Sequence, residues 1–278
     1  MTAKPLQTNP FYNLDSSAFL PRALVLFMAL FSACTSMAQS DAEKGLTIAS
    51  EADQRDTGFG DTVVDLTMLI TSSANDVTRR EMRQTVLEVT GDGDKSIMVF
   101  DRPRDLKGTA ILTYTHKVEP DEQWLYLPAL KRVKRISSSD KSGPFMGSEF
   151  AYEDLASQEV EKYTYKYLRD ETLDGEPCFV VERIPNDENS GYTRQITWVN
   201  QSEYRLQRVD YYDRKDTLLK SMVPNNYQRY LNRYWRPDEM IMTNHQTGKS
   251  TTLKFGNYQF RTGLRDSDFN PSAISRTR

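Results

Sequence analysis

DEQWLYLPALKRVKRISSSDKSGPFMGSEFAYED, Asp121 to Asp154, decides how this chain is read. Its opening alternates: Trp124 and Tyr126 fall on one side and Leu125 and Leu127 on the other, because strand side chains have a period of two. Pro128 has no N–H for a ladder and ends the strand. Lys131 to Ile136 alternates again, with four cations among six positions. A loop of Ser137, Ser138, Ser139, Gly143, Pro144 and Gly147 follows, with Phe145, Met146 and Phe150 set into it. A polar loop carries such large apolar groups when they lie on something apolar. The stretch therefore reads as the lid of a greasy cavity in a β-rich protein.

Trp124, Tyr126, Leu127, Phe145, Met146, Phe150 and Tyr152 are the candidate cavity and lid residues. Ordinary core packing is the usual explanation of aromatics on strands. The Gly-flanked Met and Phe point to something more adaptable. Met repacks around varied apolar ligands, and Gly143 and Gly147 are candidate hinges. If Phe145 closes the lid, Phe145→Asp should abolish apolar binding and leave the fold intact. Lys131, Arg132, Lys134 and Arg135 have two readings. One is a solvated edge strand whose cations deter sheet-to-sheet pairing. The other is a basic rim that meets anionic headgroups or an acidic partner at the cavity mouth.

Outward from this stretch, the period of two dominates. Thr62, Val64, Leu66, Met68 and Ile70 share one face of a long strand. Returns are expected at Thr78–Thr90, Ser96–Asp101 and Thr109–Lys117, with a hairpin turn at Gly91-Asp92-Gly93-Asp94. That turn lacks the full EF-hand pattern. Beyond the loop, Tyr152–Ser157 reads as one helical turn, and Tyr163, Tyr165 and Tyr167 share a strand face. Asp174-Gly175 signals another hairpin, with Cys178–Ile184 returning. Further strands are expected at Tyr192–Asn200, Tyr204–Asp213, Asp216–Val223 and Thr251–Arg261. Tyr227–Arg236 and Glu239–Gln246 read as a pair around Pro237-Asp238. Residues 41–56 read as a short helix, and the tail with Leu264, Phe269 and Ile274 as packing back on the body. The expectation is about ten or eleven strands in a mainly β, antiparallel meander. Twist would curl it into a barrel or half-barrel with a short helix or loop as lid.

The chain has 278 residues and a net charge of -3; the first 38 carry Lys4, Asp15 and Arg22, so the remainder stands at -4. That argues against nucleic-acid binding. Arg22 precedes an apolar run, Ala23–Ala33, too short to span a bilayer but right for a signal-peptide core. Ser36-Met37-Ala38 fits cleavage before Gln39, leaving a leader of residues 1–38 and one domain, 39–278. Phe31-Ser32-Ala33-Cys34 is a competing, imperfect lipobox that would leave Cys34 lipidated. Cys178, in a strand-like run, reads as a buried thiol.

No enzyme is read here, nor a metal or cofactor. His116 and His245 lie far apart, and HExxH, GxSxG and CxxC are absent. Ser148 stands alone between Gly147 and Glu149.

WLYLPALKRVKRI followed by FMGSEFAYED resembles the signature of the outer membrane lipoprotein-sorting protein family, periplasmic relatives of the Lol lipoprotein carriers. The likeness extends through IMVFDRPRDLKGTAILTY and the aromatic C-terminal half, roughly Asp61 to Asn270. It implies a curved antiparallel sheet, a LolA-like half-barrel, under a lid. It also implies a periplasmic carrier that takes acyl chains of lipoproteins or other lipids toward the outer membrane. An RND-type inner-membrane transporter and an outer-membrane acceptor would be its partners. The alternative on the same fold is a sensor module that binds lipid or lipoprotein and a membrane partner.

Overall fold

Residues 39–272 and 274–276 are described by the computed structural model. The signal-peptide reading and both cleavage sites, including Cys34, lie outside the described residues. Ser40 starts helix α1 (Asp41–Asp56): its hydroxyl accepts from Glu43 N–H while Glu43 returns the bond to Ser40 N–H. Gly58 and Gly60, both at positive φ, then turn the chain into the sheet.

All thirteen strands form one antiparallel sheet. The first half is a meander of β1 (Asp61–Thr71), β2 (Val77–Leu87), β3 (Lys95–Arg102), β4 (Ala110–Tyr114), β5 (Glu122–Leu127) and β6 (Arg132–Arg135). The second half is β7 (Tyr163–Leu173), β8 (Glu176–Pro185), β9 (Arg194–Asn200), β10 (Leu206–Tyr212), β11 (Leu218–Tyr230), β12 (Tyr234–Asn244) and β13 (Ser250–Phe260). The halves join where β1 pairs with β13, from Thr62–Phe260 to Thr71–Ser250. β6 and β7 are therefore the two free edges, and the curved sheet stays open rather than closing into a barrel. The connection from β6 to β7, residues 136–162, must cross the whole width of the sheet. It does so as a chain of 3-10 turns at Ser138–Asp140, Phe145–Gly147, Tyr152–Leu155 and Val160–Lys162.

The sheet carries apolar groups on both faces. On the inner face Val64, Leu66 and Met68 of β1 pack with Met98, Phe100, Val209, Met222, Met242 and Leu253. On the outer face Ile97, Val99 and Leu112 are covered by Phe269 and Ile274 of the tail. Asp174 and Gly175 both take positive φ, as the β7–β8 hairpin requires.

Two expectations are corrected. Among the described residues the strand count is thirteen, and β11 runs as one strand through the gap expected between Asp216–Val223 and Tyr227–Arg236. The β11–β12 turn is not at Pro237-Asp238 but at Leu231 and Asn232, both at positive φ. Both prolines lie inside strands. Pro224 falls beyond Met222, the last β11 residue paired with β10, and Pro237 falls before Glu239, the first β12 residue paired with β13. On those flanks a missing N–H removes no ladder bond.

Candidate functional site

The crossing segment is fastened to strands from both halves of the sheet. Phe145 is fully buried, in contact with Phe100 (ring centroids 5.9 Å apart) and edge-on to Tyr152 (5.5 Å). Phe145 N–H donates to Phe150 O at 2.7 Å, closing a tight loop around Met146 and Gly147. Lys220 on β11 donates to Asp154 Oδ2 and to Glu149 O, each at 2.7 Å, and both charged side chains are 4% exposed. Tyr192 donates to Asp154 Oδ1 at 2.9 Å, and Ala151 N–H to Oδ2 at 2.7 Å. Burial and the Asp154 charge hold the Tyr192 phenol well above its ordinary pKa. Asn244 donates to Glu149 Oε2 at 2.7 Å, Arg80 to Met146 O at 2.6 Å, and Gln123 to Tyr152 O at 2.9 Å. These contacts explain the polar letters of GSEFAYED: nearly all are bonded to the sheet or to the loop itself.

The segment fills only part of the concave side. Beside it lies a cavity of about 1190 Å³, roofed by Ile48, Ala49 and Ala52 of α1. Its floor is Val64 and Leu66 from β1, Met98 from β3, Val199 from β9, Val209 from β10, and Met240 and Leu253 from β12 and β13. Phe150, Leu155 and Val160 of the crossing segment form one wall. α1 spans the mouth from β7 to β12. Its Gly45 sits against the β7 backbone so closely that a Cβ would lie 2.8 Å from Tyr167 N.

The α1 C-terminus divides the mouth into two flanks of opposite charge. On one flank stand Asp53, Glu88, Asp94 and Glu159, with Lys117 among them. Burial first, then neighbouring carboxylates, pushes Asp94 up to about 6 and Glu159 up to about 7. Burial raises Asp53 as well. On the other flank are Arg55, Arg205, Arg229, Arg233 and Arg236. Each lies over an aromatic ring: Arg55 over Tyr204 (4.2 Å), Arg205 and Arg229 over Trp235 (4.7 and 5.8 Å), Arg233 over Tyr234 (5.2 Å) and Arg236 over Phe59 (5.4 Å).

Solved structures of other proteins share this fold. A solved outer membrane lipoprotein-sorting protein domain from Vibrio parahaemolyticus is 54% identical, covers 84% of this chain and 100% of its own, and superposes with a TM-score of 0.83. The chain belongs to the outer membrane lipoprotein-sorting family. A DUF1329 family protein from Desulfovibrio piger is 31% identical over 84% of this chain and 99% of its own, with a TM-score of 0.80. A LolA superfamily protein from Nitrosomonas europaea, 23% identical over 81% and 97%, shares the fold with a TM-score of 0.66. A family model described only as an uncharacterized protein matches residues 92–276. No curated protein matches the chain.

Within this lipoprotein-sorting fold the expected site residues separate. Phe150 lines the cavity. Phe145 is core, with Leu127, Met146 and Tyr152 packed against the same inner cluster. Trp124 and Tyr126 face the opposite way, under the C-terminal tail with Phe269 and Ile274. Gly143 and Gly147 bracket the pinned Phe145–Phe150 loop; Gly147 takes φ +77°. Lys131, Arg132, Lys134 and Arg135 are exposed on or beside edge strand β6, away from the cavity lining. The residues that build the mouth went unread in the sequence: they come from α1, from the β9–β10 and β11–β12 turns and from β2–β3. The only trace was the density of Tyr, Trp and Arg between Tyr204 and Arg236.

Two other sites of chemical interest lie away from the cavity. Cys178 is buried and free, and burial raises its thiol. Ser221 Oγ is 2.8 Å from His245 Nε2, but it donates to Asp210 Oδ1 at 2.6 Å, and Arg208 clamps that carboxylate. A hydroxyl whose proton is committed to a paired carboxylate is not activated by the imidazole, which leaves this a structural network.

Proposed function

We propose that this protein is a periplasmic carrier that holds acyl chains of a lipoprotein or another lipid in the cavity under α1. The observation that carries the reading is the cavity itself: an open, mainly apolar trough of about 1190 Å³ that the core does not fill. It exceeds the roughly 300–1,000 Å³ of ordinary small-molecule sites, which leaves room for a long chain. Removing an acyl chain from water stabilises the complex by about 0.8 kcal/mol per buried CH₂. A shift of the covering element re-exposes the chain and reverses that gain, so release needs no nucleotide. The name of the Vibrio parahaemolyticus relative supports lipoprotein cargo. Delivery toward the outer membrane, with an RND-type inner-membrane transporter and an outer-membrane acceptor, completes the proposal. The exposed β6 cations would supply a docking edge for an acidic partner or a headgroup layer.

Native mass spectrometry of protein isolated gently from periplasm, followed by lipid extraction, tests this reading. A co-purifying acyl species supports it and names the cargo class. An apo mass together with no uptake of added lipid or lipopeptide overturns it.

A further inference from the structure

The arginine flank of the mouth is more than a solvated rim. Glu51 pairs with Arg55 at 2.7 Å, Asp56 pairs with Arg236, and Arg233 donates to the Gln54 and Arg55 carbonyls that end α1. Arg205 is held only by a long salt bridge to Glu203, and Arg229 by none among the described residues. Arg205 is only 19% exposed, its Nε is buried without an acceptor among the described residues, and its nearest carboxylate, Glu203, is 3.6 Å away. Arg229 is exposed and forms no ion pair among the described residues. Both guanidiniums lie over the same indole, Trp235, each within 6 Å of its ring centre, at 4.7 and 5.8 Å. Neither guanidinium donates a hydrogen bond to any of the described residues, so both keep N–H groups available to an anion. Tyr227, also under Arg205 at 5.0 Å, and Leu206, Met240 and Tyr258 continue from this pair into the apolar cavity.

We infer that Arg205 and Arg229 form a headgroup site for an amphiphile with an acidic head, a phosphate or carboxylate, whose tail lies in the cavity. Two cations over the same ring, at the edge of an apolar space, make the potential there favourable for an acidic head. The carboxylate flank opposite, with Asp53, Glu88 and Asp94, disfavours the same head and gives the ligand one orientation. This inference rests on the acyl-binding reading and narrows it: the diacylglycerol of a lipidated cysteine is itself uncharged, whereas a phospholipid or fatty acid carries the charge the site requires.

The test measures binding of dodecyl phosphate, dodecanoate, dodecanol and inorganic phosphate to the full chain and to Arg205→Gln/Arg229→Gln, with circular dichroism to verify the fold. The expected result is at least tenfold tighter binding of the two acidic ligands than of dodecanol, with acidic and neutral ligands binding alike in the double variant. Arg229→Gln alone, at an exposed position, should lose part of the difference even if the double variant folds poorly. Equal affinity of acidic and neutral ligands for the unaltered protein overturns the headgroup site and leaves the acyl-binding reading standing. Binding of none of the alkyl ligands overturns both. Inorganic phosphate binding as tightly as dodecyl phosphate overturns the amphiphile and leaves a free-anion site.

Discussion

Lys220 and Asp154 decide how the inside of the half-barrel is held. Both are buried, and the pair is completed by Tyr192 and by the Glu149 carbonyl. Removing one partner of such a pair strands the other, which costs about 3–5 kcal/mol. Lys220→Ala should therefore lower the thermal midpoint by roughly 6–20 °C, at about 2–4 °C per kcal/mol for a chain this size. Lys220→Met/Asp154→Asn, which removes both charges, should recover much of that loss. A double variant no more stable than the single would show that the pair is not what fastens the segment. Phe145 now reads differently. Because it is fully buried, Phe145→Asp places a carboxylate in the core and unfolds the segment, so it cannot report on binding alone. Strand periodicity separated Trp124 and Tyr126 from Leu125 and Leu127 correctly. Which side faces inward depends on the C-terminal tail, more than 130 residues away, whose Phe269 covers the Trp124 face.

At the scale of elements, the three that meet around the acidic flank set a pH response. α1 supplies Asp53 and Asp56, the β2–β3 connection supplies Glu88 and Asp94, and the end of the crossing segment supplies Glu159 and Glu161. Lys117 is the cation among them. Carboxyls raised above their ordinary values of 3.8 and 4.5 favour the folded state when protonated. Their contribution is full below those ordinary values and is lost as pH rises through about 6 for Asp94 and about 7 for Glu159. Asp92, held at about 2 by its bonds to His116 and Lys117 N–H, works the other way, and its stabilisation is lost only in strong acid. The thermal midpoint should thus rise on acidification from pH 8 to pH 5.5. Glu159→Gln should raise the midpoint at pH 8 by a few degrees and flatten the profile between pH 6 and 8. A profile unchanged by Glu159→Gln would remove Glu159 from this set. None of this was legible beforehand, because the carboxylates come from distant positions and only the fold gathers them. The Pro237 misreading has a similar cause: proline marks a turn unless the neighbouring strand is absent on its N–H side, and strand overlap is a property of the whole sheet.

For the whole molecule, the question is which cover opens. The sequence identified strands, a curved sheet and an apolar segment, but not that β6 and β7 are opposite edges. Once they are, residues 136–162 become a strap across the interior, fastened by Phe145, Phe150, Lys220 and Arg80, and a poor candidate for movement. α1 is the weaker cover. Gly45 and Ile48 are its buried residues, and Lys44 holds on through the Tyr167 ring. Its far end is secured where Glu88 accepts from Gly58 and Gly60 N–H, at 2.5 and 2.7 Å, and where Arg236 meets Asp56. Those glycines, at φ +97° and +86°, are the natural pivot, and the N-terminal half of α1 is the part that swings. Amide hydrogen exchange should accordingly be at least about tenfold faster across Asp41–Ile48 than across Phe145–Leu155, a difference of about 1.4 kcal/mol in local opening. Gly45→Leu adds a side chain whose Cβ would lie 2.8 Å from Tyr167 N, so it must lift α1 from β7. The expected signature is faster exchange confined to α1 and faster release of a bound acyl probe, with protection in the strap and the β1–β13 seam retained. If Gly45→Leu loosened the strap equally, the two covers would be one cooperative unit, and opening would have to involve the Lys220–Asp154 pair as well.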